Sequence, residues 1–240
     1  DEDMHREASR RHQLEGRMRH ALERGEFRLH YQPKVRLSDG QVTGVEALLR
    51  WQPEGEALVA SNEFIPILEE TGLIVPVGAW VLREACAQMV RWEQSQTQPR
   101  PLKLAVNLSA RQFRHQDLVE QVATTLTQTG FDAHRLELEL TESMLIDDSE
   151  AVIGLIARLG AMRVKIAIDD FGTGHSSLSY LKRFNVDTLK IDRSFVLGTP
   201  HDADNCAIAT AVVALGHGLR LKVVAEGVET VAQAEFLRGL

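Results

Sequence analysis

Six stretches of this sequence end on side chains that can ligate a cation or hold a proton: Glu46, Asn107, Glu139 with Glu142, Asp169 with Asp170, Lys190 with Asp192, and Glu226 with Glu229. Each is ordinary by itself, since a lone Glu after an apolar run is usually a loop residue or helix cap and Asp-Asp before Phe-Gly is a common turn. Together they bring carboxylates, one amide and one amine to the same point of six successive units. Carboxylates that converge without matching cations repel one another, so divalent ions or basic partners must neutralise them. No His or Cys occurs at these positions, and an all-oxygen donor set suits hard cations such as Mg²⁺ or Mn²⁺, not structural zinc. Asp169 and Asp170 can bridge two ions about 3.5 to 4 Å apart, the arrangement of two-metal phosphoryl chemistry. Lys190 then serves as a point charge on a phosphate oxygen or orients the attacking water; its plainer role is counter-ion to Asp192 or to the acidic cluster. The glycine-bearing loop from Asp170 to Ser177 is too common a feature to be assigned phosphate contacts.

A regular alternation has to position these groups. Hydrophobic patterning predicts strands near residues 27–31, 42–49, 102–108, 135–140, 163–168, 188–191 and 222–225. Helices are expected near 61–70, 77–94, 116–127, 149–159, 176–184, 202–217 and 231–237. Seven strands alternating with helices imply a parallel sheet, doubly wound or closed. The 240 residues match the roughly 250 of one α/β barrel, which favours closure into a single-domain (β/α)₈ TIM-type barrel. In such a barrel all the strand C-termini lie on one face, the face that carries the site. Residues 1–25 are charged, with Met4, Leu14, Met18 and Leu22 at helical spacing, and read as a helix entering a barrel over residues 26–240. A start inside a charged helical segment suggests a piece of a longer protein.

Hydrophobic residues at 44% and charged residues at 25% are the composition of a soluble globular domain with a full core. A net charge of -7 argues against a nucleic acid duplex as partner, because such binding uses clustered Lys and Arg to displace counterions. It leaves room for a small anionic ligand bridged by metal. Cys86 and Cys206 sit in Ala-rich stretches and are expected as buried, reduced thiols inside helices, which fits a cytoplasmic domain. No signal peptide and no run of about 18 apolar residues is visible, so a membrane anchor of the parent protein would lie outside this chain.

Glu46-Ala47-Leu48-Leu49-Arg50-Trp51 is followed by FIPILEETGLI at 64–74, VNLSARQF at 106–113, LELTES at 138–143, IDDFGTGHSSLSYL at 168–181, DTLKIDRSF at 187–195 and VVAEGVET at 223–230, with YQPKV at 31–35 ahead of it. With these ordered runs the chain resembles, from about Leu14 to its last residue, the EAL-domain cyclic di-GMP phosphodiesterases. The resemblance implies metal ligation by Glu46, Asn107, Glu139 and Asp169, with Asp170 on a second ion. It implies that Lys190 places the nucleophilic water, that Glu226 supports the metal and water shell, and that Glu142 holds the DDFG loop. Substrate contacts are implied for Gln32, Leu49, Arg50 and the Glu226-Gly227-Val228-Glu229 segment; a guanidinium such as that of Arg50 can grip a phosphate in bidentate fashion.

The activity so implied is hydrolysis of the bacterial second messenger cyclic di-GMP to linear pGpG with two Mg²⁺ or Mn²⁺ ions, in the signalling that controls biofilm and motility. A homodimer and an upstream sensory or GGDEF-type domain, in a parent that can be membrane-anchored, complete the expectation. The alternative is a catalytically inactive cyclic di-GMP receptor, which complete ligand positions disfavour. Two departures touch no assigned ligand: His175 stands where the family usually has Tyr, and Asn185 where Pro is common. Family members also continue into a last strand that bears a Gln near the site and a substrate-stacking aromatic, so the barrel is expected to be one strand short at its C-terminal end.

Overall fold

The computed structural model describes residues 14–97, 100–145, 150–173, 181 and 183–240. Most of the predicted helix near 176–184 and the first thirteen residues of the expected entry helix therefore lie outside the described residues; residues 14–21 are helical. Seven strands form one sheet in chain order: β1 (Phe27–Val35), β2 (Val42–Trp51), β3 (Lys103–Asn107), β4 (Leu136–Thr141), β5 (Lys165–Phe171), β6 (Thr188–Ile191) and β7 (Lys222–Ala225). β3 through β7 pair in parallel, as the alternation with helices requires. The first pair corrects the all-parallel expectation. Only six residues join β1 to β2, closed by bonds from Arg36 N to the Gln41 carbonyl and from Gly40 N to the Arg36 carbonyl, both at 2.8 Å. So short a link, without a helix, makes an antiparallel hairpin, because a parallel crossover needs a dozen or more residues.

The chain divides into two compact units. The first comprises residues 1–32, 46–99 and 108–131. Its core is aromatic: Phe27, Trp51 and Phe64 are fully buried, and Trp51 packs edge-on to Phe64 with centroids 6.0 Å apart. The Trp51 indole N–H donates to the buried Glu26 carboxylate at 3.0 Å, so neither polar group is stranded. Helix α1 (Ser61–Thr71) buries Phe64, Ile67 and Leu68 on one stripe and ends on Gly72 in the left-handed conformation. Helix α2 (Ile74–Ser95) buries Val77, Val81, Leu82, Ala85 and Met89 at the same periodicity. Cys86 is buried among them and burial pushes its thiol up to about 12.

The second unit comprises residues 33–45, 100–107 and 132–240 and holds the parallel strands. Strands β4, β5 and β6 are buried along nearly their whole length, as expected where helices cover one side and packed side chains the other. The covering helices include α3 (Glu150–Ala161), α4 (Ala203–Gly218) and α5 (Val231–Gly239). Cys206, on α4, is a free thiol and only half-buried, which corrects the expectation that both cysteines are interior. Among the described residues no single helix is long and apolar enough to cross a membrane.

Candidate active site

The sequence of β4, Leu-Glu-Leu-Glu-Leu-Thr, sorts by the two-residue period of a strand. Leu136, Leu138 and Leu140 are fully buried on one face; Glu137 and Glu139 are buried on the other. Two carboxylates cannot stay charged inside a fold without partners, and other strands supply them. Lys190 on β6 is 1% exposed and its amine lies within the cluster. Its Nζ lies 2.6 Å from Glu139 Oε2, 2.9 Å from Asp169 Oδ2 and 2.5 Å from Glu226 Oε1. Lys34 on β1 lies 2.6 Å from Glu139 Oε1 and 3.3 Å from Glu137 Oε1. Thr188 donates to the remaining Glu137 oxygen at 2.7 Å. Burial by itself would lower the pKa of Lys34, but the charges of Glu139 and Glu137 outweigh it and leave the amine raised and firmly protonated.

The adjacent Asp169 and Asp170 should face opposite sides of a regular strand. They do not, because β5 is irregular there: its register against β6 shifts between Ile168 and Phe171, and Asp170 has φ +54. A bulge with one residue in the left-handed region re-aims the side chain. As a result, carboxylate oxygens of Asp169, Asp170 and Glu226 all lie within 4.8 Å of one another, a group able to hold a metal ion. Glu226 is brought there as β7 runs out, its backbone N–H bonded to the Ile191 carbonyl at 3.1 Å. Burial and the negative charges of Asp169 and Asp192 raise the Asp170 carboxyl above the ordinary range, with Lys190 opposing. Asp192 behaves oppositely. Burial pulls it up, but the Ser194 hydroxyl and the backbone N–H groups of Ser194 and Arg193 hold it below the usual value.

Glu142 follows β4 in a 3₁₀ turn, is 3% exposed, and accepts the Gly172 backbone N–H at 3.1 Å. It therefore grips the chain directly after the paired aspartates. In the Glu226–Glu229 segment, Gly227 has φ +67, Val228 is half-buried and Glu229 is paired with Arg193 at 2.7 Å. Asn107, the last residue of β3, is exposed and stands in register with Glu139.

Four expected residues belong to the first unit. Gln32 is exposed on β1; Glu46 is half-buried at the fifth position of β2, mid-strand and not at its end; Leu49 and Arg50 are half-buried further along, where Arg50 donates to the Leu49 carbonyl at 2.8 Å. Lys34, Glu137 and Thr188 were not foreseen. The signal for Glu137 was present, since two glutamates two residues apart on a leucine strand must share one face.

Strands that deliver five carboxylates and two ammonium groups to one side of a sheet define an α/β protein with a polar, acidic site. The family model of the EAL domain matches residues 15–240, and the chain belongs to that family. It is 48% identical over its whole length to the bifunctional diguanylate cyclase/cyclic di-GMP phosphodiesterase MucR of Pseudomonas aeruginosa, covering 35% of that protein. It is 42% identical over 94% of its length to the cyclic di-GMP phosphodiesterase NbdA of the same species, covering 29% of it. The chain thus spans about a third of the length of these curated relatives. A solved structure of PaMucR phosphodiesterase in complex with c-di-GMP superposes with a TM-score of 0.89 at 50% identity, covering 95% of this chain and 91% of that one.

Proposed function

We propose that this domain hydrolyses one phosphodiester of cyclic di-GMP to linear pGpG, with two Mg²⁺ or Mn²⁺ ions. The observation that carries the reading is the convergence of Asp169, Asp170 and Glu226 within 4.8 Å beside the buried amine of Lys190. The donor chemistry fits hard divalent ions: every candidate ligand offers oxygen, and the five carboxylates outnumber the two lysines that face them. Asp169, Asp170, Glu139, Asn107 and Glu226 would hold the ions together with Glu46 of β2. Bound divalent ions supply Lewis acidity toward the phosphate and lower the pKa of water to within reach of neutral pH.

The chain's own groups do the positioning. Lys190 is held by three carboxylates and presents a fixed positive charge for the attacking water or a phosphate oxygen. Glu142 fixes the backbone after Asp170 through Gly172, so the two aspartates keep their re-aimed geometry. Gln32, Leu49, Arg50 and the Glu226–Glu229 segment are assigned to the nucleotide. MucR and NbdA, whose names state cyclic di-GMP phosphodiesterase activity, support the substrate.

The domain is read as residues 26–240 preceded by an entry helix over 1–25, in a cytoplasmic part of a longer protein. It works as a homodimer that takes its signal from an upstream sensory or GGDEF-type domain. Incubation with cyclic di-GMP and Mg²⁺ or Mn²⁺, with chromatographic detection of pGpG, tests the activity. Binding of cyclic di-GMP without a linear product would replace the hydrolase with the receptor.

A further inference from the structure

We infer that Lys34 is the resident counter-cation of the site, a positioning residue that orients Glu139 and sets how strongly the acidic cluster draws divalent ions. The inference rests on the cation site proposed above and adds to it a residue that no ligand assignment contains.

The geometry is specific. Glu139 has no exposed side-chain surface, and its two oxygens are divided between two lysines, Oε1 to Lys34 and Oε2 to Lys190, each at 2.6 Å. Two ammonium groups on opposite oxygens fix the plane of a carboxylate far better than one. Lys190 continues into the cluster, to Asp169 and Glu226. Lys34 turns the other way, to Glu137 at 3.3 Å, whose second oxygen is taken by Thr188 at 2.7 Å. Lys34 and Glu137 thus stand behind Glu139 as one positive and one negative charge, Lys34 half-buried and in direct contact with it, Glu137 buried and linked to it through Lys34.

Charges this close to Glu139 and largely shielded from solvent act strongly on an ion held there. Lys34 repels a divalent cation and Glu137 attracts it, so the two residues should shift metal affinity in opposite directions. An ion pair with a purely structural role predicts something else, because loss of either partner would loosen the site and weaken binding in both cases.

Mn²⁺ binding, followed by calorimetry and by the electron paramagnetic resonance of free Mn²⁺ on the 240-residue chain without nucleotide, separates these outcomes. Lys34→Met should bind Mn²⁺ about tenfold more tightly and Glu137→Gln about tenfold more weakly, while Lys34→Arg stays near the parent value. Circular dichroism in EDTA checks that each variant is folded. Unchanged or weaker binding in a folded Lys34→Met, or an Arg variant that behaves like Met, overturns the inference. Should Lys34→Met fail to fold, Lys34→Gln, which removes the charge but keeps a hydrogen-bond donor toward Glu139, takes its place, and unchanged or weaker binding there overturns the inference. A parent chain that binds Mn²⁺ but shows no such response sinks this inference only; a parent chain that binds no Mn²⁺ sinks the cation site with it. Neither readout depends on which nucleotide is cleaved.

Discussion

Lys190 and Glu226 face each other across the parallel pair β6 and β7, amine to carboxylate at 2.5 Å, while the same amine reaches Glu139 two strands away at 2.6 Å. One buried positive charge therefore holds three strands' worth of negative charge in place. Lys190→Met leaves Glu139, Asp169 and Glu226 without it. Removing one member of a buried ion pair costs about 3 to 5 kcal/mol, so the urea midpoint in EDTA should fall sharply. Excess Mg²⁺ should restore part of it, because an ion that binds only the folded state stabilises that state. Cyclic di-GMP turnover should drop at least about 100-fold even at saturating metal. Stability unaffected by the substitution would show that Lys190 is not the hub of the cluster.

Glu142 acts at one remove. Its carboxylate accepts the Gly172 N–H at 3.1 Å, two residues past Asp170. Glu142→Ala removes that bond, at a cost of about 1 kcal/mol because the N–H of the exposed Gly172 can turn to water, and frees the bulge that turns Asp170 toward Asp169. The metal concentration for half-maximal turnover should rise several-fold while nucleotide affinity changes little. A Mg²⁺ titration of both quantities checks this, and an unaltered metal response would remove Glu142 from the role of anchor.

Much of this was legible from residue types. The strands and helices follow hydrophobic period, and the acidic residues at strand ends mark where a site would lie. The sequence could not show how Asp169 and Asp170 come to face one another, since neighbouring residues on a strand normally diverge and the bulge at Asp170 is a backbone event. Nor did strand-end counting find Lys34 or Glu137, because their part is set by cross-strand register inside the sheet. The antiparallel hairpin of β1 and β2 was hinted at by the ten residues between the expected strands at 27–31 and 42–49, too few for a helical crossover, yet the count of alternating elements concealed it.

Gly227 lies in the segment assigned to the nucleotide. It has φ +67, and a Cβ there would come within 2.3 Å of Arg193 Cγ. Arg193 is itself tied to Glu229 at 2.7 Å. Gly227→Ala therefore meets a backbone penalty of about 1 to 2 kcal/mol and must push Arg193 aside. Turnover should fall and the thermal midpoint should drop by a few degrees. Shortening the obstacle with Arg193→Ala in the same chain should return part of the lost stability, as coupled neighbours do. Additive losses in the double variant would mean that only the backbone angle matters.

Lys103 opens β3 and Lys222 opens β7, at the strand ends opposite the carboxylate cluster. Contact with the Lys222 amine, then burial, then the Lys222 charge pull Lys103 from 10.5 down to about 8, against a smaller upward pull from Glu137. The folded chain thus releases this proton near pH 8, whereas the unfolded chain keeps it until about 10.5. Between those values the unfolded state binds more protons, so this pair makes the fold more stable as pH rises through the window. Below pH 8 both amines are charged and the repulsion is present in full. Lys103→Met should therefore stabilise the chain at pH 7, by on the order of 1 kcal/mol once solvent screening of so exposed a group is allowed for. The advantage should shrink above pH 8 and vanish near 10.5. Lys222→Met should give a similar gain, and the double variant little more, because either change alone ends the repulsion. Paired urea melts at pH 7, 8, 9 and 10 measure the difference, and a gap that stays constant across that range would refute the contact between the two amines.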